Sequence, residues 1–146
     1  MVSDLTLHRR AFWHRFAQMA PALDARTERG NETTRWLAVG PLPLVVAHYL
    51  GAGAVGIFVR GARGSQIGHV REFLFPHREF LAGALGRPDL RIGSKFLVQS
   101  GLRLDMADQP NWPRAIEWLE VNSALYEAAL IELQSKAEPW PEADWR

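Results

Sequence analysis

Three glycines, Gly51, Gly53 and Gly56, form a G-x-G-x-x-G spacing directly after the strand-like run Leu44 to Leu50. A dinucleotide site needs the third glycine to open a helix whose N-terminus faces the pyrophosphate, and an acidic residue about 20 positions on for the ribose. Ile57, Phe58 and Val59 follow instead, and these are strand formers. The glycines therefore read as a hairpin turn, supplying small volume and positive φ angles. A second cluster, Gly61, Gly64 and Gly68, surrounds Arg60 and Arg63 but lacks the Gly-Lys-Ser/Thr ending of a phosphate loop. The expectation left there is a weak anion site at a helix start.

Metal-dependent hydrolysis is represented only by fragments. Pro88 and Asp89 resemble the opening of a nuclease signature, whose second half needs an acidic residue two positions before a lysine. Gly93 stands two before Lys95 and Gln134 two before Lys136, so the second carboxylate is missing in both places. His69 and Glu72 are three apart in a helical stretch with His77 nearby, an arrangement that could contribute metal ligands. No second pair at ligand spacing accompanies them, so a surface helix face is the stronger reading and neither a metal nor another cofactor is assigned. His48 lies in an apolar strand beside Tyr49, either as a buried base or as a hydrogen-bonded core histidine, the commoner outcome. Ser65 and Ser100 stand in no G-x-S-x-G elbow. With no complete catalytic motif, the balance leans away from an enzyme.

Charge is more informative. Residues 60 to 103 hold eight Arg and Lys against three Asp and Glu, whereas from 104 onward three face nine, although the net charge is only +1. Such a split suits an anionic ligand, and equally a self-complementary fold or dimer, which is the plainer reading. Arg60, Arg63, Arg71 and Arg78 are the candidate anion or nucleic-acid surface, and His48, Tyr49 and His69 the candidate pocket. Of the six tryptophans, Trp13, Trp36, Trp112 and Trp118 fall in expected elements and read as core or half-buried, while Trp140 and Trp145 fall in an acidic tail. Aromatic side chains near arginines stack bases only where both share one face, and spacing alone does not establish that.

The elements that must position these residues follow from periodicity. Leu5, Phe12, Phe16, Met19 and Leu23 share a helix face over about residues 4 to 22, with Ser3 or Asp4 as cap and Pro21 as its end. Asp24 to Thr34 reads as a connection. Strands are expected at Arg35 to Gly40, Leu44 to Leu50 and Val55 to Arg60, and their short connections favour an antiparallel meander. Ile67, Val70, Leu74, Leu81 and Leu85 predict a helix that Pro76 kinks or splits, with Pro76 opening the second half. Strand character returns at Lys95 to Gln99 and at Leu102 to Leu104. Trp112, Ile116, Leu119, Ser123, Tyr126, Leu130 and Leu133 lie on one stripe of a long last helix, with Glu117, Glu120, Glu127 and Glu132 mostly off it, as a core-packing face or, alternatively, a dimer seam.

The expected architecture is α+β, a mostly antiparallel sheet of four to five strands packed by an N-terminal, a proline-interrupted middle and a long C-terminal helix. One domain spans 1–136, and 137–146 is a Pro/Trp/acidic tail. A chain of 146 residues needs only one core, and 47% hydrophobic content is that of an ordinary globular protein. The absence of cysteine removes disulfides, thiolate nucleophiles and zinc-cysteine clusters. No apolar run reaches the length of about 20 residues that a membrane helix needs, and the N-terminus lacks the order of a signal peptide, so a cytoplasmic location is the expectation.

The landmarks Phe12-Trp13, the strand pair ending in Val55 to Val59, the helix closing at Leu81, Leu85 and Gly86, and Asn111-Trp112-Pro113 followed by Ile116, Trp118 and Leu119 carry a resemblance. Over residues 8 to 133 the chain resembles a bacterial domain-of-unknown-function family that also occurs C-terminal to restriction-type nuclease domains. The resemblance implies an α+β fold and an association with nucleic-acid-processing systems, and it transfers no active-site residues. The expected function is thus a small binding or accessory domain with a protein or nucleic-acid partner. The rivals are an enzyme or small-molecule binder with a pocket between sheet and helices, and a structural homodimer.

Overall fold

The computed structural model describes residues 3–40 and 42–136. The Trp140 and Trp145 readings therefore lie outside the described residues. Helix α1 (Asp4–Met19) starts where the Ser3 hydroxyl accepts the Thr6 amide at 3.1 Å, satisfying one of the free N–H groups of the first turn. Its buried stripe is Phe12, Trp13 and Phe16, continued by Ala20 and Leu23. Leu5 and Met19, expected on that face, are exposed. The helix is rotated to bury Trp13, whose indole N–H donates to the Glu32 carbonyl at 2.9 Å. Pro21 opens α2 (Pro21–Arg26), a position where its missing amide proton costs nothing.

Five strands follow in a continuous antiparallel meander: β1 (Thr27–Asn31), β2 (Thr34–Ala38), β3 (Leu44–Leu50), β4 (Ala54–Gly61) and β5 (Leu97–Arg103), adjacent in that order. β1 occupies the stretch expected to be a connection. Its sequence, Thr-Glu-Arg-Gly-Asn, has no apolar alternation because it is an edge strand with little to bury. Asn31 makes the tight turn to β2: its carboxamide oxygen accepts the Thr33 amide at 2.8 Å, an Asx turn.

Between β4 and β5 run α3 (Ile67–Leu74), a 3₁₀ turn at Phe75–His77 and α4 (Arg78–Ala84). Pro76 sits within the turn, and the second helix begins at Arg78. The expected strand pieces at 95–99 and 102–104 are one strand, bulged against β4 between the Ile57 and Val59 registers. Because of the bulge, the consecutive residues Leu97 and Val98 are both buried. Val98 takes φ 53°, strained for a β-branched residue. Its carbonyl accepts the Tyr126 hydroxyl at 2.5 Å, which holds the bulge onto the last helix.

That helix, α5 (Trp112–Lys136), buries all seven residues of the predicted stripe together with Ala115 and Ala129. It packs on β3 and β4. The main core lies between the sheet and the helices, formed by Phe12, Phe16, Leu37, Val46, Ile57, Val59, Leu74, Leu81, Ile116, Leu119 and Leu130 among others. No helix among the described residues is long and apolar enough to cross a membrane.

Candidate functional site

Side chains alternate across a strand, so the register assigns each residue to one of two faces. Leu37, Val46, His48, Val55, Ile57, Val59 and Ser100 point at the helices. The opposite face carries Trp36, Val45, Ala47, Tyr49 and Phe58. On it Trp36, Val45 and Ala47 are buried with Phe58 packed against them, a second small cluster composed of strand residues alone. No helix among the described residues contributes to it.

Glycines shape this face. Tyr49, Gly56 and Gly101 stand side by side on three neighbouring strands. A Cβ at Gly56 would overlap the Tyr49 ring, and one at Gly101 would come within 3.2 Å of its hydroxyl. The phenol ring thus lies down across the strands where a larger residue would force it up. Gly30 does the same for Trp36, since a Cβ there would overlap the indole nitrogen. The third glycine of the G-x-G-x-x-G spacing is accordingly a seat for an aromatic ring. None of Gly51, Gly53 and Gly56 uses a positive φ, contrary to the hairpin expectation. The turn lies at residues 51 to 53, where the Gly51 amide bonds Ala54 O at 2.8 Å.

The rings are continuous. Tyr49 and Phe58 centroids are 6.1 Å apart, and Phe58 and Phe96 meet edge to face at 5.1 Å. Beside them is an open depression of about 360 Å³ lined by Trp36, Tyr49, Phe58, Arg60, Phe96, Gln99 and the Asn31–Thr34 turn. A second, of about 260 Å³, shares Phe58, Arg60 and Phe96 and reaches Lys95, Ser65 and Ile67. The two form a groove that crosses the sheet on either side of Phe58 and Phe96. Its polar groups include the Gln99 amide, which donates to the Tyr49 hydroxyl at 3.0 Å.

The arginines named from sequence separate into two pairs. Arg60 and Arg63 both stack on Trp36, with guanidinium carbons 3.9 and 4.4 Å from the ring centroid. Neither has a carboxylate partner among the described residues. Burial, and then the charge of Arg63, lowers the Arg60 pKa from its ordinary value. Arg71 and Arg78 instead bracket the exposed ring of Phe75, at 5.2 and 4.3 Å. Arg71 is further tied to the Gly93 carbonyl at 2.8 Å and Arg78 to the Phe75 carbonyl at 2.9 Å. Sequence reasoning found the cations but missed Trp36, Phe58 and Phe96 as their companions. The alternation of Tyr49, Phe58 and Arg60 with core residues was the available signal.

His48, Tyr49 and His69 do not share a site. His69 is exposed on α3, and Tyr49 lies in the groove. His48 is fully buried on the helix side, with Nδ1 3.1 Å from Arg35 O and Nε2 2.9 Å from Ser123 Oγ. A carbonyl can only accept, so Nδ1 carries the proton and Nε2 accepts the Ser123 hydroxyl. Burial lowers the His48 pKa to about 4, only partly opposed by the bond to Arg35 O. Ser123 lies mid-helix, where the neighbouring amides are committed to helical hydrogen bonds and offer no oxyanion hole. The pair joins α5 to the sheet. Ser100 does likewise, 2.6 Å from the Tyr126 hydroxyl, whose pKa burial pushes up to about 12. Asp89, from the nuclease-like fragment, is exposed beside Arg87 at 3.7 Å. No three His, Asp or Glu side chains converge for a metal among the described residues.

Comparison with protein-family models, with curated proteins and with solved structures gave no match to this chain.

Proposed function

We propose that the chain is a binding domain that holds single-stranded nucleic acid on the face of its sheet opposite the helices. The observation that carries this reading is the gathering of Trp36, Tyr49, Phe58 and Phe96 with Arg60 and Lys95 along one groove on that face. Every base presents a π-face to stack on an aromatic ring, and cations along the groove attract the phosphates irrespective of sequence. A flat, exposed sheet carrying aromatic residues is one established way of splaying out unpaired bases.

The test is fluorescence anisotropy at low salt with labelled oligothymidylate of about ten nucleotides, against a duplex of equal length. Single strands bind in preference to duplex. Phe58→Ala and Tyr49→Ala each weaken binding by about 1–3 kcal/mol, the usual worth of one stacked base. Val121→Ala, on the exposed side of α5, leaves it unchanged. Absence of affinity at low salt, or full affinity in the aromatic variants, overturns the reading.

A further inference from the structure

The Arg60–Trp36–Arg63 stack has more to it than a cation–π contact. Trp36 is 7% exposed, and its indole Nε1 is buried with no hydrogen-bond partner. An unpaired buried donor is rare and costs about 1–3 kcal/mol, so each instance in a folded protein calls for a reason. Two guanidiniums on the same ring repel each other, and among the described residues no carboxylate forms an ion pair with either, Glu28 opposite Trp36 on β1 included. Arg60 donates from Nε to Gly61 O at 3.0 Å, and its terminal nitrogens meet no acceptor among the described residues. Gly30 and Thr34 lie at the Nε1 edge of the indole, where the missing Cβ of Gly30 leaves the space beside Nε1 open. Unspent donors and uncompensated positive charge therefore meet at one point on the rim of the groove.

We infer that Arg60, Arg63 and the Trp36 indole N–H form a phosphate seat, in which an oxyanion takes charge-assisted bonds from both guanidiniums and a third from Nε1. This rests on the reading of the sheet face as a single-strand surface and assigns the position of one phosphate on it. Phosphate supplies what the site lacks: its charge neutralises both cations, and its oxygens offer acceptors to forked donors. Nε1 points outward in the plane of the ring, at the edge beside Gly30 and Thr34. The phosphate therefore meets it from the depression that Thr34, Trp36 and Arg60 line, and the guanidiniums, on long, unbranched side chains, swing from the ring face toward it. The cation–π contacts given up are weaker than the charge-assisted bonds formed. The same movement uncovers the Trp36 ring beside the base-stacking residues.

The indole N–H resonances of ¹⁵N-labelled protein test this directly. The chain has six tryptophans, and Trp36→Phe identifies the Trp36 signal by its loss while the others report that the fold is intact. Inorganic phosphate and thymidine 5′-monophosphate, at constant ionic strength, shift the Trp36 indole proton downfield and saturate, whereas thymidine alone leaves it in place. Arg60→Ala and Arg63→Ala each weaken phosphate binding about tenfold, the loss of one charge-assisted bond. If the oligonucleotide binds while the Trp36 signal ignores phosphate, or follows thymidine equally, the seat is wrong and the face reading stands. If phosphate shifts the signal but no oligonucleotide binds, the seat stands as an anion site and the single-strand reading falls.

Discussion

The His48 imidazole is held neutral by the same burial that places it, and this has a consequence for acid stability. Its pKa is about 4 in the folded chain against an ordinary value near 6.5. Below about pH 6.5 the unfolded chain takes up a proton that the folded chain refuses, so stability contributed by the neutral ring falls as pH drops toward 4 and then levels off. The shift corresponds to about 3 kcal/mol across that window. Urea unfolding between pH 7 and 4 measures it: the stability difference between the native chain and His48→Gln, which keeps one donor and one acceptor, narrows by this amount on acidification. A constant difference would show that protonation of His48 is not resisted. From sequence His48 was open between base and core residue, because Ser123 and Arg35 O, the groups that satisfy it, come from 75 and 13 residues away.

Elements were legible where their burial pattern was strong. The α5 stripe was readable because a helix packed along its whole length on a sheet keeps one face apolar throughout. β1 was not readable, because an edge strand is defined by its hydrogen bonds to β2 and not by its side chains. The rotation of α1 was missed since Trp13 is held by the Glu32 carbonyl, a contact set by where β1 and β2 lie. The relation between β3 and β4 yields its own prediction. Gly56→Ala leaves the fold intact, because the clashing atoms are the far end of the Tyr49 side chain, but it lifts the Tyr49 ring from the sheet. Single-strand affinity falls about tenfold, as for loss of one stacking position, while the circular dichroism spectrum is unchanged. Unaltered affinity would mean that the recumbent ring plays no part in binding.

Across the whole molecule, the acidic last helix and the cations of the groove lie on opposite sides of the sheet, while Arg9, Arg26 and Arg35 stand on the helix side and Arg71 and Arg78 on α3 and α4. The carboxylates of Glu117, Glu120 and Glu132 lie exposed on α5, on the helix side, and Glu127 there pairs with Arg26. Arg60, Arg63 and Lys95 border the groove on the other side. Glu28 is the acidic exception, at the Trp36 row of the edge strand. Binding of single strands should therefore weaken with salt with a logarithmic slope of about −2, for roughly three phosphates at about 0.7 each. Removal of Arg63 makes the slope shallower by about 0.7, and a slope near zero would deny any phosphate contact. The sequence by itself determined the α+β class, the last helix with its buried stripe and the existence of a charge split, because these depend on local periodicity and composition. Only the tertiary structure decided that the acidic α5 and the groove cations Arg60, Arg63 and Lys95 lie on opposite sides of one sheet. It also decided that Gly30 and Gly56 seat aromatic rings and that Arg60 and Arg63 converge on Trp36. Those facts depend on register between strands, which brings together residues far apart in the chain. No spacing rule along the sequence encodes that register.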